Sequence, residues 1–241
     1  MPKIDDRMHI PAGQGYHPVT RWLHAGLVLG VLFQLVCAVV MASPDHTGNK
    51  LDGHATSHSV IAAEMTRINP ESGNTGQLFL QAHRTGGILV AVIVLANLIW
   101  ALLLRGKPRK RQISVLLSGQ HWREALLIAR NIPWILCGKR PLPELGNSLS
   151  LVFEMLGMLM MSTMAATGTI IWGLWAGPGN DVSPQAELFM ETHALVAPLL
   201  VLYLTGHITM AVMHARGGDP VFSRILPWGT NNGAEQGAEN E

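Results

Sequence analysis

The stretch that most constrains the fold is 187–214, ELFMETHALVAPLLVLYLTGHITMAVMH, an apolar run long enough to cross a bilayer. It carries histidines at 193, 207 and 214. In a helix, His193 and His207 lie about 21 Å apart along the axis, at ~1.5 Å per residue. That spacing is close to four full turns, so the two imidazoles point within about 40° of each other. Neutral imidazole is a good axial ligand for haem iron. Two such ligands on one face, near opposite sides of the hydrocarbon, predict two stacked haems whose opposing ligands come from elsewhere in the chain.

Only 14% of the 241 residues are charged, against about 25% in a soluble domain. Four segments, at about 22–42, 84–104, 151–175 and 190–213, reach the roughly 20 residues needed to span. The expected fold is an all-α membrane protein, a bundle of four transmembrane helices in one domain at 17–216. A polar segment 1–16 precedes it and a polar tail 217–241 follows. With both termini in the cytoplasm, 14 Lys and Arg fall inside and two, Lys50 and Arg67, outside, with Arg84 at a boundary. Val-Met-Ala at 40–42 looks like a signal-peptidase site. The apolar region before it exceeds the usual ~7–15 residues and contains His24, so cleavage after Ala42 is not expected.

Cys37 falls in the outer half of the first span and Cys137 in the cytoplasmic loop, so they cannot pair. No Cys-x-x-Cys-His occurs, so any haem is held non-covalently. There is no Gly-rich phosphate loop, and nothing points to nucleic acid.

Within YHPVTRWLHAGLVLG (16–30), Pro18 suits the first turn of a helix and places His24 nearly two turns in. Arg21, one turn earlier on the same side, either pairs with a haem propionate or anchors the inner end beside Trp22. Gly26 and Gly30 read as helix packing or as room for a porphyrin face. The second span is expected to begin near 75–77, two turns before His83. His83-Arg84 is followed by Gly86 and Gly87, a pattern that suits a flat ligand or a packing notch. Asn97, in mid-span, is expected to bond a neighbouring helix.

The 43–82 loop, with His46, His54 and His58 near Asp45, Asp52 and Glu64, reads as an outer partner-docking surface more than a metal site. The 105–148 loop opens with RGKPRKR, a topology anchor attracted to anionic lipid. Its continuation, HWREALLIARNIPWIL, predicts an interfacial helix on the inner leaflet that ends at Pro133, with His121 on the surface. The third span has no histidine, and its methionines (155, 158, 160, 161, 164) read as adaptable packing. Glu154, near its inner end, belongs either to a proton route or to the interface. Glu191 points away from His193 and has no ligand role.

A lone histidine on an apolar helix is more often a satisfied core residue than a ligand. Here four fall in three spans, and depth sorts them into pairs: His83 with His193 near the outer side, His24 with His207 near the inner side. His214, seven residues after His207 on almost the same face, competes for the inner position. It sits at the membrane edge, so His207, beside Gly206, is preferred.

Taken together, RWLH, AHRTGG, KRPLPELGN and ETH…TGH resemble the prokaryotic cytochrome b561 family. This family includes the cytochrome b subunits of nickel-iron hydrogenase, formate dehydrogenase and thiosulfate reductase. The resemblance covers about 16–215 and implies iron ligation by His24, His83, His193 and His207. Members commonly carry His and Pro after the glycine before the third helix; here Gly146 is followed by Asn147-Ser148-Leu149.

The resemblance implies a di-haem b cytochrome of the bacterial inner membrane. It would carry electrons between a periplasmic redox partner and the quinone of a respiratory chain, as the electron-transfer subunit of a quinone-linked oxidoreductase. Arg21 and Arg84 are the candidate propionate contacts. His17, Arg21, Glu154 and His214 are the candidates for a quinone site at the inner end. Expected partners are membrane lipid, quinone or quinol and a periplasmic redox protein, with a homodimer left open. One alternative is a stand-alone enzyme of the same family that passes electrons from a small molecule such as superoxide to quinone. Another is a haem-free transporter or anchor that uses histidines for metal ions; against it, inner and outer histidines about 21 Å apart cannot share one ion.

Overall fold

The computed structural model describes residues 16–41, 75–103, 118–141, 143, 147–175 and 183–228. Four helices are long and apolar enough to cross a membrane. They are α1 (Pro18–Met41), α2 (Thr75–Leu103), α5 (Ser148–Leu174) and α6 (Pro184–Arg216). Three short ones, α3 (Gly119–Arg130), α4 (Ile132–Leu136) and α7 (Val221–Ile225), flank them. No strand occurs among the described residues. The all-α, four-span architecture is the one the hydropathy pattern predicts.

Local chemistry explains where the helices start. α1 begins at Pro18, whose fixed φ suits a first turn. Asn147 caps α5, its side chain accepting from the Ser150 N–H at 3.0 Å. Ser183 caps α6 by accepting from the Ala186 N–H at 3.2 Å, and Pro184 follows in the first turn. Leu29, Val39, Leu89, Leu159 and Leu202 all stand exposed on the periphery. Hydrocarbon is the solvent in which such a surface carries no penalty.

α1 and α2 pack antiparallel, and small residues set their register. Gly30 faces Val90, Gly26 faces Ile93, and Gly86 faces Phe33 and Gln34. Trp100 Nε1 donates to Thr20 Oγ1 at 3.1 Å in the same register. In lipid, helices associate through close contact more than through a hydrophobic gradient, so a missing side chain opposite a branched one is the device required. Gly26 and Gly30 are therefore packing notches, and Gly86 too opens onto α1. α5 and α6 are also antiparallel: Gly157 faces the Tyr203 ring, Gly206 faces Phe153, and Gly168 faces His193. α2 packs on α5, and α6 packs closely on α5 but stands off from both α1 and α2. The bundle thus runs α1–α2–α5–α6 with a gap between α6 and the first pair. At the near end, where α1 begins and α6 finishes, α7 touches both α6 and α1 and bridges that gap.

Three local expectations are corrected. Asn97 donates to Ile93 O of its own helix at 3.3 Å rather than to a neighbour. The segment from His121 does not end at Pro133. It breaks at Asn131, and Pro133 lies in the first turn of α4, where a missing N–H costs nothing. His121 is no bystander either: its Nδ1 lies 3.1 Å from Ser148 Oγ, which donates to Glu124 Oε2 at 2.6 Å. This network docks α3 on the start of α5, over a small apolar contact of Ala125 with Val152. Ala42, the 43–74 stretch with His46, His54, His58, Asp45, Asp52 and Glu64, and the RGKPRKR run lie outside the described residues.

Candidate functional site

Two histidine pairs bridge the gap between α6 and the first helix pair. His24 of α1 faces His207 of α6, ring centroids 6.4 Å apart and planes inclined by 56°. His83 of α2 faces His193 of α6, again with centroids 6.4 Å apart, the rings at 87°. These are the pairs expected from depth. Their levels agree along two independent paths. On α6 they are separated by about 21 Å; through the α1–α2 register, His83 lies opposite position 37 of α1, about 20 Å beyond His24.

The spacing within each pair discriminates between chemistries. A direct N–H···N hydrogen bond between imidazoles brings the centroids to about 5 Å. Two imidazoles on opposite sides of one metal ion, each nitrogen about 2 Å from it, place the centroids about 6 Å apart. The observed separations are longer than the first arrangement and close to the second, a spacing that ring pairs packed edge to face also adopt. Among the described residues each level presents two imidazoles, and no cluster of three or more His, Cys, Asp or Glu side chains suited to a metal ion occurs. Two imidazoles on each level fit an ion whose other positions are filled by a flat macrocycle.

Side chains that the sequence did not flag hold these imidazoles. Thr167 of α5, buried, lies with Oγ1 2.9 Å from His193 Nδ1. Its single hydroxyl proton goes to Thr163 O at 2.8 Å, so the oxygen accepts from His193 Nδ1–H and leaves Nε2 as the free donor atom. Tyr203 stacks on His207 with centroids 5.8 Å apart and on Phe153 at 4.7 Å. Gly157 supplies the space for its ring. α5 carries no histidine, and nothing in its sequence distinguishes Thr167 from the other small polar residues of that helix.

At the far end, Trp175 is buried with Leu80 and Met190, one turn beyond His83 and His193 on the same helix faces. Arg84 lies over the indole, 5.6 Å from its centroid, and donates to Trp175 O at 3.4 Å. At the near end, Arg21 is buried and donates from Nε and Nη2 to Leu226 O, and from Nη2 to Ser223 O at 3.2 Å. These carbonyls belong to α7 and the residue after it. The same end holds His214, buried, with Nδ1 2.8 Å from Asp219 Oδ2. It is His207, not His214, that faces His24. His17 accepts the Val19 N–H on Nδ1 at 3.2 Å and rests on Trp100, 4.9 Å between centroids. Glu154 stands exposed on α5.

Four apolar helices with paired histidines facing across the interior form the architecture of a membrane cytochrome b. Residues 15–228 match the family model of prokaryotic cytochrome b561, and the chain belongs to that family. It is accordingly a multi-pass membrane protein with a haem b electron-transfer role. No curated protein and no solved structure matches the chain.

Proposed function

We propose that this chain is a di-haem b cytochrome that conducts electrons across the bacterial inner membrane, between a periplasmic redox partner and the quinone pool. The observation that carries the reading is the pair of 6.4 Å imidazole separations on two levels of one helix gap. His24 and His207 would hold the haem nearer the cytoplasm, His83 and His193 the one nearer the periplasm. The assignment of sides rests on the excess of Lys and Arg in the segments at the near end. Held by two imidazoles, the iron would have no open position, so the group would supply one-electron transfer and would not bind oxygen.

The protein's own work is to orient, bury and couple to protons. Thr167 fixes the tautomer of His193, and Tyr203 packs the face of His207. At the near end His17, Glu154 and the His214–Asp219 pair are the groups proposed to bind quinone and exchange protons with it. Arg21 ties α7 down beside them.

The test is a reduced-minus-oxidised visible spectrum with a pyridine haemochrome count on the wild type, His207→Ala and His214→Ala. Two b haems per chain, falling to one in His207→Ala and staying at two in His214→Ala, is the expected result. One haem lost in His214→Ala instead moves the inner ligand to that residue. No haem in correctly inserted protein overturns the cytochrome reading and favours a metal-transport or anchoring role.

A further inference from the structure

Trp175 is only 4% exposed, yet its Nε1 has no hydrogen-bond partner among the described residues. Buried indole N–H groups nearly always find an acceptor, because an orphaned donor in an apolar environment loses its hydration with no compensation. The ring does not sit in an arbitrary place. Leu80 and Met190, which pack on it, are three residues before His83 and His193. The indole therefore closes the far end of the gap one turn beyond the imidazole pair. Beside it, the Arg84 guanidinium lies over the ring and is steered by the Trp175 carbonyl. An unsatisfied N–H and a half-buried cation at one edge of the gap call for an anionic acceptor with lone pairs to spare, which is a carboxylate.

Building on the di-haem reading, we propose that Trp175 Nε1–H and the Arg84 guanidinium form a carboxylate-binding subsite for a propionate of the group held between His83 and His193. A carboxylate there could also arrive on an acidic side chain of a docking partner, but a propionate is delivered by the occupant of the gap itself. Its consequence is electronic. A hydrogen bond and a cation on the propionate withdraw negative charge from the neighbourhood of the iron and favour the reduced state. The outer potential is thereby held higher than the histidines alone would set it.

The experiment is a redox titration of the isolated full chain in lipid nanodiscs, with no partner present, on the wild type, Trp175→Phe, Arg84→Gln and the double variant. Trp172→Phe, an exposed indole on the same helix, is the control. Trp175→Phe keeps the ring and removes only the donor. The expected result is an unchanged haem count, one midpoint potential lowered and the other unmoved. Arg84→Gln should lower the same midpoint, and the double variant should fall short of the sum because both groups act on one carboxylate. Both potentials unchanged in Trp175→Phe and Arg84→Gln overturns the subsite, as does an equal shift of both midpoints. Where Trp175→Phe fails to insert, Arg84→Gln and the propionate bending band in resonance Raman decide: an unmoved midpoint and an unmoved band overturn it. A wild type without haem is a different outcome, which sinks the di-haem reading itself.

Discussion

The hydroxyl of Thr167 lies 2.9 Å from Nδ1 of His193 and donates its own hydrogen bond to Thr163 O, so α5 reaches across to set the tautomer of an imidazole on α6. Thr167→Val is the direct test. It leaves a buried N–H unpaired, which costs about 1–3 kcal/mol. It also makes the imidazole a weaker electron donor, because the hydrogen bond at Nδ1 raises ligand basicity. One midpoint potential should rise, and Thr167→Ser should return it toward the wild-type value. Potentials indifferent to both variants would remove Thr167 from the support of His193.

Gly157 leaves room for the Tyr203 ring, which in turn packs on His207. A methyl group at 157 would overlap the phenol end of that ring, so Gly157→Ala should destabilise by about 1–3 kcal/mol through overpacking. Gly173, with nothing near its missing Cβ, is the matched control. Gly173→Ala should be neutral or should stabilise by up to about 1 kcal/mol. Thermal unfolding midpoints in detergent distinguish the two, and equal midpoints would show that Tyr203 is free to move aside.

The docking of α3 on α5 should depend on pH. Hydrogen bonds to Glu124 from Ser148 and then Gln120, with His121 nearby, hold its carboxyl below the ordinary carboxylate value. A lowered folded value means the carboxylate's contribution is present above the unfolded value and is lost as pH falls through the lowered one. The protection of 119–130, taken relative to intrinsic exchange at each pH, should therefore be high at neutral pH and fall below the ordinary carboxylate range. Glu124→Gln should abolish that pH dependence. Protection factors equally high in acid would assign the docking to Ala125 and Val152 alone.

Arg21 fastens the polypeptide after α6 to the start of α1 through the carbonyls of Ser223 and Leu226. Hydrogen bonds from a charged donor contribute about 1.5–3 kcal/mol each. Arg21→Ala should expose 217–228 to limited proteolysis without changing the haem count. Arg21→Lys should restore protection only in part, since an ammonium lacks the planar fork that serves two carbonyls. Unchanged proteolysis in Arg21→Ala would mean that His214 and Asp219 suffice to hold the segment.

The spans and the histidine pairing were legible in the sequence because both depend on one-dimensional quantities. Apolar length sets whether a helix crosses, and residue spacing along an axis sets depth, so His24, His83, His193 and His207 sort themselves without knowledge of neighbours. The N-caps at Asn147 and Ser183 are equally local. The roles of Gly26 and Gly30 were ambiguous, because a missing side chain reads alike whether a helix or a ligand fills the space. Asn97 and His121 went astray for a related reason. A polar side chain can bond its own helix, a neighbour or solvent, and sequence does not rank these.

Periodicity and apolar length set the class of fold, the two levels of imidazole and the family before any helix meets another. Tertiary structure alone decided which helices leave the gap, that α6 stands off from α1 and α2, and that Thr167, Tyr203, Trp175 and Arg84 converge on it. Those side chains come from α2, α5 and α6 and from the end of α5. Their meeting depends on helix order and register, which small residues set through contacts between segments far apart in the chain.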